Sequence, residues 1–139
     1  MRRVLIASHG RLAEGAKSAI EFFTGQLDYL EVLCAYCDES SQDMDYQVEQ
    51  YLKRIAQEDE LIIFTDLMGG SVNSHLLSLV SREKTHLVSG FNLALLLEVI
   101  SRDDHELTAE DIQECIELSQ SGIVYMNTHT ARFETGDEV

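Results

Sequence analysis

Short apolar runs alternate with amphipathic stretches along most of the chain. The runs "RRVLIAS" (2–8) and "ELIIFTD" (60–66) are typical of strands buried on both faces, and "YLEVLCAY" (29–36) and "THLVSG" (85–90) predict two more strands. The intervening and following stretches carry apolar residues at helical spacing. These predicted helices are "RLAEGAKSAIEFFTG" (11–25), "DMDYQVEQYLKRIAQ" (43–57), "VNSHLLSLVSR" (72–82), "NLALLLEVISR" (92–102) and "LTAEDIQECIELSQSG" (107–122).

Local signals support these helix ends. Gly25 and Gly122 are stop signals, and Thr108 with Asp111 three residues later resembles a capping box. Strands that alternate with helices predict an α/β fold with a mostly parallel sheet and right-handed crossovers. The last apolar run, "IVYMN" (123–127), follows two helices and is predicted to be a short edge strand that could run in either direction.

Composition adds limits to this picture. The chain has 139 residues, is 45% hydrophobic, contains no proline and shows neither a linker nor a repeat, so we expect a single domain over 1–139. The net charge of −15 argues against nucleic acid as a partner and favours a positively charged one. The apolar runs are too short for a membrane span, and "MRRVLIAS" lacks the features of a signal peptide. We therefore expect a cytoplasmic protein.

The three cysteines do not point to a redox or metal site. Cys34 and Cys37 form a CxxC pair, but no helix signal follows directly, whereas a reactive pair is expected at a helix N-terminus. We interpret both as small buried side chains. A zinc site would need a second pair of ligands, and Cys115 stands alone on a predicted helix, so no metal is expected.

Polar residues of chemical interest follow the first and third predicted strands. His9 and Gly10 follow the first strand, and Asp66 ends the third. If the strand order is 2-1-3-4, the order reverses between these two strands, and ligands of open α/β sheets bind at such a point. The same crevice would hold two helix N-termini and the sequence Gly69–Gly70–Ser71, which suit an anion such as phosphate. An ordinary loop with a helix cap is the alternative interpretation.

His9 beside Asp66 would form a chemically meaningful pair. A nucleophilic imidazole needs one free nitrogen, while a carboxylate that accepts from the other N–H fixes the tautomer. A histidine that merely lines a loop is the alternative. The remaining histidines, His75, His86, His105 and His129, are weaker candidates for catalysis.

Three motifs together resemble a known family. "VLIASHGRLAEG" (4–15), "FTDLMGGS" (64–71) and "SGFNLALLLEVI" (89–100) are similar, in order and spacing, to the enzyme IIA domain of the mannose family of the sugar phosphotransferase system (PTS). The resemblance spans essentially the whole chain. It implies a doubly wound sheet of order 2-1-3-4 with helices on both faces, and a homodimer that exchanges the last strand. It implies no cofactor.

The resemblance also implies a mechanism. His9 would take a phosphoryl group from the histidine-containing phosphocarrier protein and pass it to an enzyme IIB domain. That domain phosphorylates a sugar as it enters through a membrane permease complex, so the membrane partner is indirect. Asp66 would orient His9, and the phosphate-binding residues would be Gly10, Gly69, Gly70 and Ser71.

The chain departs from the family pattern at three positions. Val72 and Ala94 stand where the family usually has proline, and Ser74 stands where it usually has asparagine. These changes bear on the sugar and the subfamily rather than on the His9–Asp66 chemistry. The alternatives are the phosphotransfer subunit of a dihydroxyacetone kinase and a regulatory IIA-like domain of a transcriptional activator. A receiver domain phosphorylated on Asp66 lacks the acidic magnesium ligands after the first strand, and a flavodoxin-like binding module lacks the hydroxyl-rich phosphate loop.

Overall fold

A computed structural model of the chain describes residues 1–37 and 43–129. Four parallel strands form one sheet in the order β2-β1-β3-β4, as predicted. The strands are β1 (Arg2–His9), β2 (Leu30–Ala35), β3 (Glu60–Thr65) and β4 (Thr85–Ser89). The helices are α1 (Leu12–Thr24), α2 (Met44–Lys53), α3 (Ser71–Leu76), α4 (Leu93–Ser101) and α5 (Ala109–Gln120), and a 3₁₀ turn over Leu77–Ser81 continues α3.

The two central strands divide the apolar residues between the two faces of the sheet. Successive strand residues point to opposite faces, so a continuous apolar run supplies both cores. Val4 and Ile6 of β1 pack on the side of α1, α4 and α5, whereas Leu5 and Ala7 pack on the side of α2 and α3. Every residue of β3 is buried. The helices therefore cover both faces, which is the doubly wound arrangement.

Ion pairs cover the start of the central strands. Glu60 is buried at the first position of β3, where its carboxylate accepts from Arg2 Nε at 2.7 Å and from the Leu107 N–H at 2.6 Å. Arg3 donates to the neighbouring buried Asp59 at 3.0 Å. Charged residues can begin these strands because each buried carboxylate has a cationic partner.

The predicted helix signals have the expected structural roles. Thr108 and Asp111 form a reciprocal capping box at the start of α5, and Gly25 follows α1 with a φ of +78°. The Thr108 hydroxyl accepts from the Asp111 N–H, while the Asp111 carboxylate accepts from the Thr108 N–H. Within the described part of the chain, no helix is both long and apolar enough to cross a bilayer.

The predicted strand over residues 123–127 is wrong for the single chain. Residues 123–125 have no regular structure, and residues 126–129 form one helical turn in which the Thr128 N–H donates to the Tyr125 carbonyl at 3.1 Å. The segment does not pair with the four-stranded sheet of its own chain. Its apolar side chains remain outside the core, with Ile123 and Tyr125 75% and 69% exposed. Exchange of this segment in a dimer stays a prediction.

The capping box of α5 is linked to a titratable histidine. His105 lies between two carboxylates, with Nδ1 2.6 Å from Asp104 Oδ1 and Nε2 3.0 Å from Asp111 Oδ2. The hydrogen bonds to Asp104 and Asp111 raise the pKa of His105 above its ordinary 6.5. A raised pKa means that protonated His105 stabilises the folded protein. This stabilisation is fully present below pH 6.5 and is lost as the pH rises through the pKa of His105 in the folded state.

We expect His105→Gln to remove this pH dependence. The wild type should be more stable than the variant at acidic pH, and the difference should shrink as the pH rises. Thermal unfolding of both proteins between about pH 5.5 and about pH 8.5 measures the difference. A difference that stayed constant over this range would show that His105 does not stabilise the fold through its charge.

Candidate active site

The carboxyl ends of the two central strands bring together the polar residues predicted from the sequence. β1 and β3 are parallel neighbours, with Ala7 opposite Thr65, so His9 and Asp66 leave the sheet at the same edge. The order of the sheet reverses between these strands. The structure therefore places both residues at the point where open α/β sheets bind ligands.

A tight turn after β1 fixes the position of His9. Gly10 has a φ of +56°, and its N–H donates to the Ala35 carbonyl at 2.7 Å. The hydroxyl of buried Ser8 accepts from the Ala13 N–H at 2.8 Å and so satisfies one amide in the first turn of α1. Sequence reasoning missed this role of Ser8, although a hydroxyl just before a predicted helix is a signal for such a bond.

One carboxylate oxygen holds both the backbone and the ring of His9. Asp66 Oδ2 accepts from the His9 backbone N–H at 2.8 Å and lies 3.0 Å from His9 Nδ1. The Asp66 side chain is only 9% exposed, whereas that of His9 is 38% exposed. An ionised carboxylate at Nδ1 requires a proton there, so Nε2 of the neutral ring carries the free lone pair.

The surroundings of Asp66 favour its ionised form. Burial alone would raise the pKa of this carboxyl, but the hydrogen bonds from the His9 backbone and ring outweigh burial and hold the pKa below its ordinary value of 3.8. Asp66 is therefore an anion at neutral pH. This negative charge lies beside Nδ1, where it would stabilise a positively charged form of the ring.

The other nitrogen of His9 faces the Ser71 hydroxyl, which in turn contacts the Tyr36 hydroxyl. Ser71 Oγ lies 3.3 Å from His9 Nε2, and the Tyr36 hydroxyl lies 3.1 Å from Ser71 Oγ. The rings of Tyr36 and His9 are stacked, with their centroids 5.8 Å apart and an angle of 26° between their planes. Sequence reasoning included Ser71 but missed Tyr36. Its position directly after β2, at the carboxyl edge of the sheet, is the signal that could have identified it.

Tyr36 has an unusual backbone conformation. Its φ is +61°, in the left-handed region that bulky residues rarely adopt. That conformation costs about 1–2 kcal/mol for an L-residue with a side chain. Tyr36 is also 64% exposed, so packing in the core does not account for the conformation.

The two glycines after Asp66 serve different purposes. Gly69 has a φ of +76°, and a methyl group at this position would meet open space. A methyl group at Gly70 would lie 3.3 Å from His9 Cε1, closer than most such contacts. Gly69 therefore permits the turn of the loop, and Gly70 permits the loop to approach the His9 ring.

Two of the three residues that depart from the family pattern, Val72 and Ser74, are accommodated by the fold. Val72 is fully buried in the core between α3 and the sheet, and the Ser74 hydroxyl donates to the Gly70 carbonyl at 3.1 Å. The adjacent Asn73 Oδ1 accepts from the hydroxyls of Thr65 and Ser89 and so connects α3 to β3 and β4. Asn73 thus anchors this helix to the sheet.

The other histidines contact different parts of the structure. His75 Nδ1 lies 2.7 Å from Asp45 Oδ1, and His86 Nε2 lies 3.0 Å from the Leu107 carbonyl oxygen. Two of these histidines, His75 and His105, have carboxylate neighbours as His9 does, so such a neighbour alone does not distinguish a nucleophile. His9 differs in lying at the reversal of the strand order, against a glycine-containing loop.

The cysteines lie close to the core and to the turn after β1. Cys34 is half-buried and packs against the α1 side of the core, and burial raises the pKa of its thiol. Cys37 is also half-buried, and its Sγ donates to the Gly10 carbonyl at 3.2 Å. Both side chains are less buried than the sequence predicts, whereas Cys115 is fully buried. Among residues 1–37 and 43–129, no group of three His, Cys, Asp or Glu side chains could hold a metal ion.

Comparison with known proteins identifies the family. The sequence model of the EIIA-man family, described as "PTS system fructose IIA component", matches residues 3–116. A fructose-specific EIIA component of the PTS from Bacillus subtilis (strain 168) is 24% identical over 139 residues, which cover 99% of this chain and 95% of that protein.

Solved structures agree with this assignment. A crystal structure from Klebsiella pneumoniae, described as a phosphoenolpyruvate-dependent sugar PTS permease, is 34% identical with a TM-score of 0.86, and the match covers 93% of each chain. A PTS IIA protein associated with the fucose utilization operon of Streptococcus pneumoniae is 28% identical with a TM-score of 0.78, covering 93% of this chain and 96% of that one. The chain therefore belongs to the EIIA-man family, the phosphoryl-carrier IIA components of sugar phosphotransferase systems. The two alternatives of a dihydroxyacetone kinase subunit and a regulatory IIA-like domain are not favoured.

The contrast between Gly69 and Gly70 can be tested by adding one methyl group at each position. Gly69→Ala should lower the free energy of unfolding by about 1–2 kcal/mol because of backbone strain, with little change at the His9 ring. Gly70→Ala has an ordinary backbone conformation and should instead displace the ring. Denaturant unfolding and the NMR signals of the His9 ring measure the two effects. Equal ring displacement in both variants would contradict this division of roles.

Proposed function

We propose that His9 is the residue of this IIA component that accepts and donates the phosphoryl group, and that Nε2 is the reacting atom. The observation that carries this proposal is the asymmetry of the ring. Asp66 occupies Nδ1, while Nε2 faces Ser71 at the exposed edge of the sheet. The donor is the histidine-containing phosphocarrier protein, and the acceptor is an enzyme IIB domain.

The transfer exchanges one nitrogen–phosphorus bond for another. The lone pair of His9 Nε2 forms a bond to phosphorus as the bond between phosphorus and the donor's imidazole nitrogen breaks, and that nitrogen keeps the electron pair. The His9 ring becomes positively charged with its proton still on Nδ1, beside the Asp66 carboxylate. Transfer to the IIB domain reverses these events at His9. The protein supplies position and electrostatic stabilisation and needs no cofactor.

The loop after β3 is proposed to hold the phosphoryl oxygens. Ser71 Oγ is close enough to Nε2 to reach an oxygen on phosphorus bound there. Gly10, Gly69 and Gly70 are the other proposed phosphate-binding residues, and backbone N–H groups are suitable donors to an anion. The N–H groups of Gly10 and Gly70 already donate to the Ala35 and Leu67 carbonyls at 2.7 Å and 3.4 Å, so these two glycines contribute through the shape of the turn and the loop. Gly70 contributes because its missing side chain keeps the loop close to His9.

The rim of the site is suited to a protein partner. Leu67 and Met68 precede the glycines and are 60% and 86% exposed, so apolar side chains surround a polar centre. The net charge of −15 would speed encounter with a basic carrier protein, and salt would weaken this attraction. We further propose that residues 1–139 form one cytoplasmic IIA domain that acts as a homodimer, with the membrane permease complex as an indirect partner.

The central test is to map the phosphate. We expect incubation with phosphoenolpyruvate, enzyme I and the phosphocarrier protein to give an acid-labile, base-stable phosphate on His9, and NMR to locate it on Nε2. His9→Ala should abolish labelling. His75→Ala is a matched control, because it removes another histidine whose Nδ1 lies next to a carboxylate. Labelling that survived His9→Ala, or was lost in His75→Ala alone, would refute the assignment.

The role of Asp66 can be tested with an uncharged replacement. Asp66→Asn retains the shape of the side chain but loses the negative charge beside Nδ1, so we expect phosphoryl transfer to slow by about tenfold to a hundredfold. The fold should persist, as judged by circular dichroism. Asp45→Asn, which changes the carboxylate next to His75, should transfer at the wild-type rate. Wild-type transfer by Asp66→Asn would exclude an orienting role for Asp66.

A further inference from the structure

Tyr36 contacts the reacting histidine and its neighbouring serine, yet the transfer described above gives it no part. The ring stacks on His9 at 5.8 Å, and the hydroxyl lies 3.1 Å from Ser71 Oγ. The left-handed backbone conformation is unfavourable for an aromatic residue, and the exposed Tyr36 side chain gains little from burial to offset that cost. The conformation places the Tyr36 side chain in contact with His9 and Ser71.

The protonation of His9 determines the direction of the hydrogen bonds. Because Nδ1 keeps its proton for Asp66, Nε2 can only accept, and the Ser71 hydroxyl must donate to it. The Ser71 hydrogen is then committed to His9. The Tyr36 hydroxyl consequently donates to a lone pair on Ser71 Oγ.

We propose that Tyr36 is a positioning residue for phosphoryl transfer, which acts by orienting the Ser71 hydroxyl toward the reacting nitrogen of His9. This inference rests on the proposed function of His9. The three groups form a chain in which the Tyr36 hydroxyl donates to Ser71, and the Ser71 hydroxyl donates to Nε2.

The same chain suits the phosphorylated protein. When Nε2 binds phosphorus, its lone pair is no longer available, and the Ser71 hydrogen needs another acceptor. The phosphoryl oxygens on Nε2 are acceptors at the same place. Because Tyr36 still donates to Ser71 Oγ, the serine hydrogen stays directed toward the phosphoryl group rather than turning to solvent. The stacked ring keeps the Tyr36 hydroxyl in reach of Ser71 throughout.

Removal of one hydroxyl group tests the proposal. Tyr36→Phe retains the ring and should slow transfer from the phosphorylated carrier protein to His9 by about threefold to tenfold, the effect of one hydrogen bond. It should also shift the ¹⁵N resonance of His9 Nε2 in the unphosphorylated protein. Tyr46→Phe makes the same chemical change on the exposed surface of α2 and should alter neither quantity. Thermal unfolding confirms that each variant is folded.

A double-mutant cycle tests whether the effect passes through Ser71. In a Ser71→Ala background, Tyr36→Phe should cause no further loss of rate and no further shift of the Nε2 resonance. Independent, additive losses would overturn the proposal, as would a Tyr36→Phe protein with wild-type rate and wild-type resonance. If the wild type itself took no phosphate on His9, the proposed function would fail. The resonance comparison would then still show whether Tyr36 acts on Nε2 through Ser71.

Discussion

The site depends on one carboxylate oxygen that joins two neighbouring strands at their ends. Asp66 Oδ2 accepts from both the backbone N–H and the ring Nδ1 of His9, so the position and the tautomer of the histidine are fixed by a single group. These two contacts require β1 and β3 to end side by side at the same edge of the sheet. The parallel pairing of the two strands, with Ala7 opposite Thr65, provides this alignment. The close-packed core on both faces of these strands holds His9 and Asp66 at a fixed distance from each other.

The two nitrogens of His9 thereby acquire different environments. Nδ1 faces a mostly buried anion, whereas Nε2 faces the Ser71 hydroxyl at the exposed edge. A phosphoryl carrier must hold the phosphoryl group until it meets the next protein and must then transfer the group readily. The proposed site consists of one ring, one charge and a few hydrogen-bond donors, and it would meet this need because the proposed transfers require no rearrangement of these groups.

Much of the fold and part of the site could be predicted from the sequence. The continuous apolar runs around Ile6 and Ile63 identified central strands because such runs are buried on both faces. The 123–127 segment was predicted as a strand because its apolar residues resemble one, but a strand also needs a partner with free backbone groups. Tyr36 was missed because its conformation and its contact with Ser71 depend on where β2 ends relative to the loop after β3.

By itself, the sequence determined the alternation of strands and helices, the buried faces, and the candidates His9 and Asp66 at strand ends. These follow from local periodicity and from the general rule that ligands bind at the carboxyl edge of a parallel sheet. Only the tertiary structure decided which ring nitrogen faces the carboxylate, that Gly70 lies against the His9 ring, and that Tyr36 contacts both His9 and Ser71. Such contacts join residues that are far apart in the chain. The distances between their atoms depend on how the whole domain packs, so they cannot be predicted from a local sequence pattern.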